Sequence, residues 1–432
     1  MSDRSLGERD LSGPNMWTEF EFTDDQGNKH WFHLFGEKHT VDTKELCTGS
    51  SASRKIHIDF VDFLEYLFDQ SYKYKIYTNF FLEIPYRLNV KKINQHSNYL
   101  SEIYNRFQGC FTPKKKCKYN PYVQMNTTDI RSSYKFEDEK FSGDLSTTVH
   151  QMIKNRILKL LQMFVQLKFD IRNQTLQNKI FKTAFFIQLL VDLYLPHSYE
   201  VFKILLTNPN YKKDIEKIIE PIFDESGSDK YLSRDFEELQ QTLNRLYSFF
   251  KVREKKKIFI LKHQLDELRK DKIIYKKVNM TDWIYYFLLQ MNKKYQEDQL
   301  PIFLNAWSKL YVQILESDLK KKKDLDGIIS LFQELQKDLS SPLTFMDSTL
   351  LDGYIMARMF RRYGRNPEKS TVLTLVYEGM YHVEIQSIFL SQVLGLKPLN
   401  VVRGTKDHPR CLKIDLEQSF NILQYGENIK LV

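Results

Sequence analysis

Cysteine is scarce in this chain. Four residues (Cys47, Cys110, Cys117 and Cys411) in 432 are too few for a disulfide scaffold. The six residues between Cys110 and Cys117 do not match the close spacing of a zinc ribbon. The expectation is a reducing, intracellular compartment. The opening residues, MSDRSLGERDLSGPNMW, carry no apolar signal core. No long hydrophobic run occurs. The most apolar helical stretch, FKTAFFIQLLVDLYL, is interrupted by Lys182, Gln188 and Asp192, and it is too short and too polar to span a bilayer. No P-loop, dinucleotide-binding glycine fingerprint, nucleophile elbow or kinase string is present. No fixed-period repeat supports a solenoid. The net charge of +9 is spread out, and two of the three lysine clusters lie beside acids such as Glu254, Asp318 and Asp324. They read as solvated faces, which argues against a nucleic-acid partner.

What the chain has is core. It is 42% hydrophobic and 14% aromatic, and its length suits two or three domains or one domain with a large insertion. Residues 1–15 read as disordered. From 16 to 144 the pattern alternates: FEFTDD and KHWFHLFG as paired strands, a helical stripe over 58–71, the buried strand IYTNFFLEIP, a short helix near 97–108, and the strand PYVQMNTTDIR. Residues 145–344 carry helical periodicity with no convincing strand. From 345 to 432 the α/β pattern returns: a helix over 345–364, the strand TVLTLVYEG, the helix VEIQSIFLSQVLG, and the strands LNVVRG and CLKIDL. The expected fold is therefore α/β: a discontinuous, mixed but mostly parallel sheet flanked by helices, with a large all-helical insertion.

Two G-x-x-H strings follow apolar strands, Gly36-Glu37-Lys38-His39 and Gly379-Met380-Tyr381-His382. Strand ends are where open α/β sheets build their sites, and a glycine there permits a sharp turn. Other polar groups fall at similar places: Glu83 at the end of NFFLEIP, Asp129 and Arg131 after VQMNTT, and Glu378 beside Gly379. If these strands are parallel neighbours, the groups converge. His39, Glu83 and His382 would then suit a divalent metal such as Mn, Co or Zn. Glu37 or Glu83 could act as general base, and Arg131 could hold an anion or developing negative charge. Asp352 and Arg358, on the helix leading into the second motif, read either as site-edge groups or as a solvent-facing polar flank.

These motifs resemble a superfamily that includes the erythromycin esterases, the ChaN-like haem-binding proteins and the TraB/Tiki group of proposed metalloproteases. The matching positions are Gly36, Glu37 and His39, then Glu83, Arg131, and Gly379 with His382. The string LLDGYIMARMFRRY is also similar to uncharacterised proteins of large DNA viruses, which would place the chain in host cytoplasm or virion. The resemblance covers about the first 135 and the last 90 residues and implies a hydrolase, either metal-dependent or working through a histidine base without metal. The alternative is a non-catalytic viral structural or host-interaction protein that keeps the fold and binds a protein partner through the helical insertion. The substrate is not legible in the sequence.

Overall fold

The computed structural model describes residues 8–38, 47, 57–85, 98–111, 116–129, 180, 259–316, 322–338, 340–362, 372–405 and 408–415. The chain divides into two compact units. The first comprises Met1–Ser133, His263–Phe287 and Leu351–Val432, and the second Tyr134–Lys262 and Leu288–Leu350.

The first unit holds a six-stranded sheet. Its strands are β2 (Met16–Thr23), β3 (Lys29–Glu37), β5 (Thr78–Pro85), β6 (Val123–Asp129), β9 (Leu373–Gly379) and β10 (Asn400–Arg403). They lie in the order β10-β2-β3-β9-β5-β6. The sheet is mixed: β3, β9, β5 and β6 are parallel, while β2 and β10 add antiparallel at one side. β9 is buried at every position, as its run Leu-Thr-Leu-Val-Tyr-Glu-Gly suits a strand covered on both faces.

Alternation along the strands sorts the two faces. Trp17, Phe35, Phe80, Leu82, Leu375 and Tyr377 pack in one cluster with α1 (Phe60–Lys73) and α2 (Asn98–Phe111). Asp59 caps α1 by accepting from the Val61 backbone N–H at 2.8 Å. On the other face Phe22 and Phe32 meet Phe360, with ring centroids 5.3 and 5.1 Å apart.

Three expectations need correction. Residues 8–12, read as part of a disordered N-terminus, form β1 (Glu8–Ser12), which pairs with β11 (Cys411–Asp415) and β4 (His57–Asp59) in a three-stranded sheet. ERDLS has one apolar residue, so the strand depends on partners distant in sequence. The stretch 145–344, read as all helical, contains a hairpin of β7 (Ile274–Tyr275) and β8 (Val278–Asn279). Its turn residues Lys276 and Lys277 have φ of 50° and 64°. Such angles normally signal Asn-Gly. Here the Asp25 carboxylate accepts both their backbone N–H groups, at 2.9 and 2.7 Å, so a tertiary contact replaces the local signal. The third correction concerns cysteine. Cys47–Cys411 and Cys110–Cys117 are disulfides, with Cα separations of 5.4 and 4.5 Å. The reducing compartment inferred from the cysteine count loses its basis.

The second unit contributes helices, including α4 (Leu300–Glu316) packed against α5 (Lys322–Asp338). Between the units in sequence run α3 (Met280–Lys294) and α6 (Ser340–Met359). Of residues 145–258 only Ile180 is described, so most of the expected insertion, including the apolar stretch near 181–195, lies outside the described residues. Among the described residues no helix is long and apolar enough to cross a membrane.

Candidate metal centre

Because β3, β9, β5 and β6 are parallel, their C-terminal ends share one edge of the sheet. Glu83 ends β5 on the face opposite Leu82, and Glu378 ends β9 on the face opposite Tyr377. From β9 the chain passes directly into α7 (Met380–Ile388), with Gly379 as N-cap. His382 sits on the first turn of α7, and Asp352 reaches in from α6.

The four groups meet. His382 Nδ1 lies 2.9 Å from Asp352 Oδ1, and His382 Nε2 lies 3.5 Å from Glu83 Oε1. The other Glu83 oxygen accepts the Gly379 backbone N–H at 2.7 Å. That bond satisfies an orphan donor of α7 and sets a carboxylate at the positive end of the helix. Among the described residues, ligand atoms of Asp352, Glu378 and His382 all fall within 4.8 Å of one another. All are buried: Glu378 at 0%, Asp352 at 1%, His382 at 5% and Glu83 at 8% exposure. The Asp352 charge extends to Tyr381, whose phenol is pushed up by burial and then by Asp352 and Glu384.

Such a donor set can hold a metal ion. Bonds of about 2.1 Å place two ligand atoms on one ion at most about 4.2 Å apart. Three ligands shared tetrahedrally lie about 3.4 Å apart, so the widest pair in the trio would close by up to about 1.4 Å on binding an ion. Carboxylate oxygens with one imidazole suit Zn, Mn or Co.

Glu37 is elsewhere. The Tyr377 hydroxyl donates to it at 2.5 Å, and Arg410 Nη1 is 4.0 Å away. Tyr377 stacks on Phe60, so this network belongs to the α1 face, away from His382. Burial first, then the Glu37 charge, holds the Tyr377 phenol well above its usual range. Gly36 is needed for close approach: a Cβ there would meet Met16 Cγ at 2.8 Å and Met380 Cα at 3.0 Å. Asp129 closes β6 opposite Pro85 and is outside the clustered trio. Arg358 binds Asn126 and Tyr354. His39 and Arg131 lie outside the described residues.

No family model, curated protein or solved structure matches the chain. The candidate site therefore rests on geometry.

The sequence reading thus selected Glu83 and His382 and left Asp352 open between a site-edge group and a solvent-facing flank; the fold brings all three together. That reading gave no role to Glu378. A glutamate inside an otherwise apolar, fully covered strand is a buried charge, and that was the signal available.

Proposed function

We propose that the protein is a metal-dependent hydrolase whose centre is built from Asp352, Glu378 and His382, with Glu83 beside them. One observation carries the reading: three carboxylates crowd one imidazole in a site almost closed to solvent. Even a protonated imidazole leaves such a group with excess negative charge. Burying it is costly unless protons or a bound cation balance it, and a divalent cation balances it while keeping every donor ionised. A divalent cation held there would supply Lewis-acid polarisation of a substrate oxygen.

The chain's own residues have distinct parts. Asp352 orients the His382 ring through Nδ1. Glu83 is fixed by the Gly379 N–H at one oxygen, while the other faces His382 Nε2 and can accept a proton. Gly36 lets α7 start close to the sheet, which sets the position of His382. Zn, Mn and Co remain the metals favoured. His39 and Arg131 would complete the superfamily pattern, and the placement of Glu83 and His382 at one sheet edge supports that resemblance.

A second reading has its own observation. The Asp352–His382 bond at 2.9 Å is the arrangement by which a buried carboxylate fixes the tautomer of a histidine base. On this reading His382 Nε2 activates water without metal. The test is hydrolysis of a panel of small esters, amides and phosphoesters by chelator-treated protein, with and without added Mn²⁺, Co²⁺ or Zn²⁺. Metal-restored turnover that Glu378→Gln abolishes supports the first reading. Turnover that persists in chelator and disappears in Asp352→Asn supports the second. No turnover on any substrate, with metal bound, favours the non-catalytic alternative.

A further inference from the structure

Arg358 lies about 1.7 turns beyond Asp352 on α6, with its guanidinium on the sheet face that carries Glu83. It is half-buried. Nη2 donates to Asn126 Oδ1 at 2.5 Å and Nη1 to the Tyr354 hydroxyl at 3.2 Å. The guanidinium carbon stands 5.9 Å from the ring centres of both Phe81 and Tyr354. Asn126 is itself oriented, its Nδ2 donating to the carbonyls of Phe80 and Gln124, each at 3.5 Å. Its oxygen is thereby turned towards the arginine.

The contacts of this charge among the described residues are neutral: the Asn126 amide, the Tyr354 phenol and the Phe81 ring. Among the described residues no carboxylate lies within ion-pair distance of Arg358. By contrast Arg361, three residues on, contacts both Glu267 and Asp271 at 3.4 Å. A half-buried guanidinium held by two neutral hydrogen-bond partners, with no carboxylate at ion-pair distance among the described residues, is suited to receive an anion from outside the chain. Its planar fork matches phosphate or carboxylate.

The distance to the centre is readable from the elements. Phe81 and Glu83 are two residues apart on β5, roughly 7 Å. Asp352 and Arg358 are six apart on α6, a rise of roughly 9 Å. We propose that Arg358 recognises an anionic group, phosphate or carboxylate, on the ligand of the carboxylate–imidazole centre. The ligand is then an anion-bearing molecule that reaches from Arg358 to the centre, whose backbone positions lie about 7–9 Å apart along β5 and α6. This inference rests on that centre being the reaction site.

The experiment measures thermal protection of the full chain by inorganic phosphate and by acetate at constant ionic strength, with acetamide as the neutral control. Saturable protection of the wild type by either anion, and none by acetamide, is expected. Phosphate alone assigns a phosphoryl group, and acetate assigns a carboxylate. Arg358→Gln should weaken the apparent affinity about tenfold or more, the effect of losing a charge-assisted fork. Should that variant fail to fold, Asn126→Asp serves instead: it supplies Arg358 with an internal counter-ion and should abolish protection with the packing intact. Equal protection of wild type and Asn126→Asp, or no protection of wild type by either anion, overturns the proposal. Metal content separates the two claims. Anion protection in a protein that takes up no metal leaves the Arg358 site standing and removes the metal centre. Metal uptake without anion protection does the reverse.

Discussion

Glu378→Gln removes one negative charge from the centre with almost no change in volume. Glu378 is fully buried, and its carboxylate lies within 4.8 Å of the ligand atoms of Asp352 and His382. Two like charges at that separation repel by roughly 3–4 kcal/mol at an effective dielectric of about 20. Attraction to a protonated His382 offsets part of this. The metal-free variant should therefore be more stable than wild type by on the order of 1–3 kcal/mol. In a unit of this size each kcal/mol moves Tm by about 2–4 °C. Saturating metal should reverse the order. A metal at a hundredfold excess over its Kd adds about 2.7 kcal/mol to the protein that binds it, and the variant, lacking one ligand, gains less. The assay is thermal and denaturant unfolding of both proteins, first in chelator and then in Mn²⁺ or Zn²⁺. A variant less stable than wild type in chelator, by an amount that metal does not alter, would show Glu378 acting as a structural acceptor. That result refutes the charge-crowding argument.

Gly36→Ala should cost about 1–3 kcal/mol, because its Cβ would press on the Met380 backbone at 3.0 Å, and it should weaken metal binding by shifting the start of α7; denaturation and metal titration check both. Glu19, buried beside Asn400, has its carboxyl pushed up to about 7, chiefly by burial. A raised folded-state value stabilises below the unfolded value near 4.5 and loses that stabilisation as pH rises through about 7, so Glu19→Gln should gain stability over wild type at pH 8 and little at pH 4 in parallel unfolding curves. Replacing both Cys110 and Cys117 by serine opens a short loop and should lower stability by about 2–3 kcal/mol, measured against wild type under non-reducing conditions.

The parts of the fold written in local pattern were legible. TVLTLVYEG is a run of β-branched and apolar residues, and it forms the central strand β9, with Gly379 and His382 where the motif put them. The helical stripe over 58–71 became α1 with its apolar side in the core. What the sequence concealed depends on partners far along the chain. β1 exists because Leu11 and its neighbours pair with β11 and β4. The Lys276-Lys277 turn exists because Asp25 caps it. The disulfide Cys47–Cys411 joins residues separated by 364 positions, which no cysteine count reveals. At the site, Glu37 stood next to a motif glycine and looked catalytic. The alternation of β3 turns it towards Tyr377 instead, and the same alternation on β9 turns Glu378 towards the opposite face.

The most direct measurement is the metal content of the chelator-stripped, refilled wild-type protein beside Glu378→Gln and His382→Ala, each checked for folded structure by circular dichroism. A centre of Asp352, Glu378 and His382 predicts close to one equivalent of Mn, Co or Zn retained by wild type after dialysis, and a large loss in both variants. Wild type that retains no metal, or folded variants that retain as much as wild type, would contradict it.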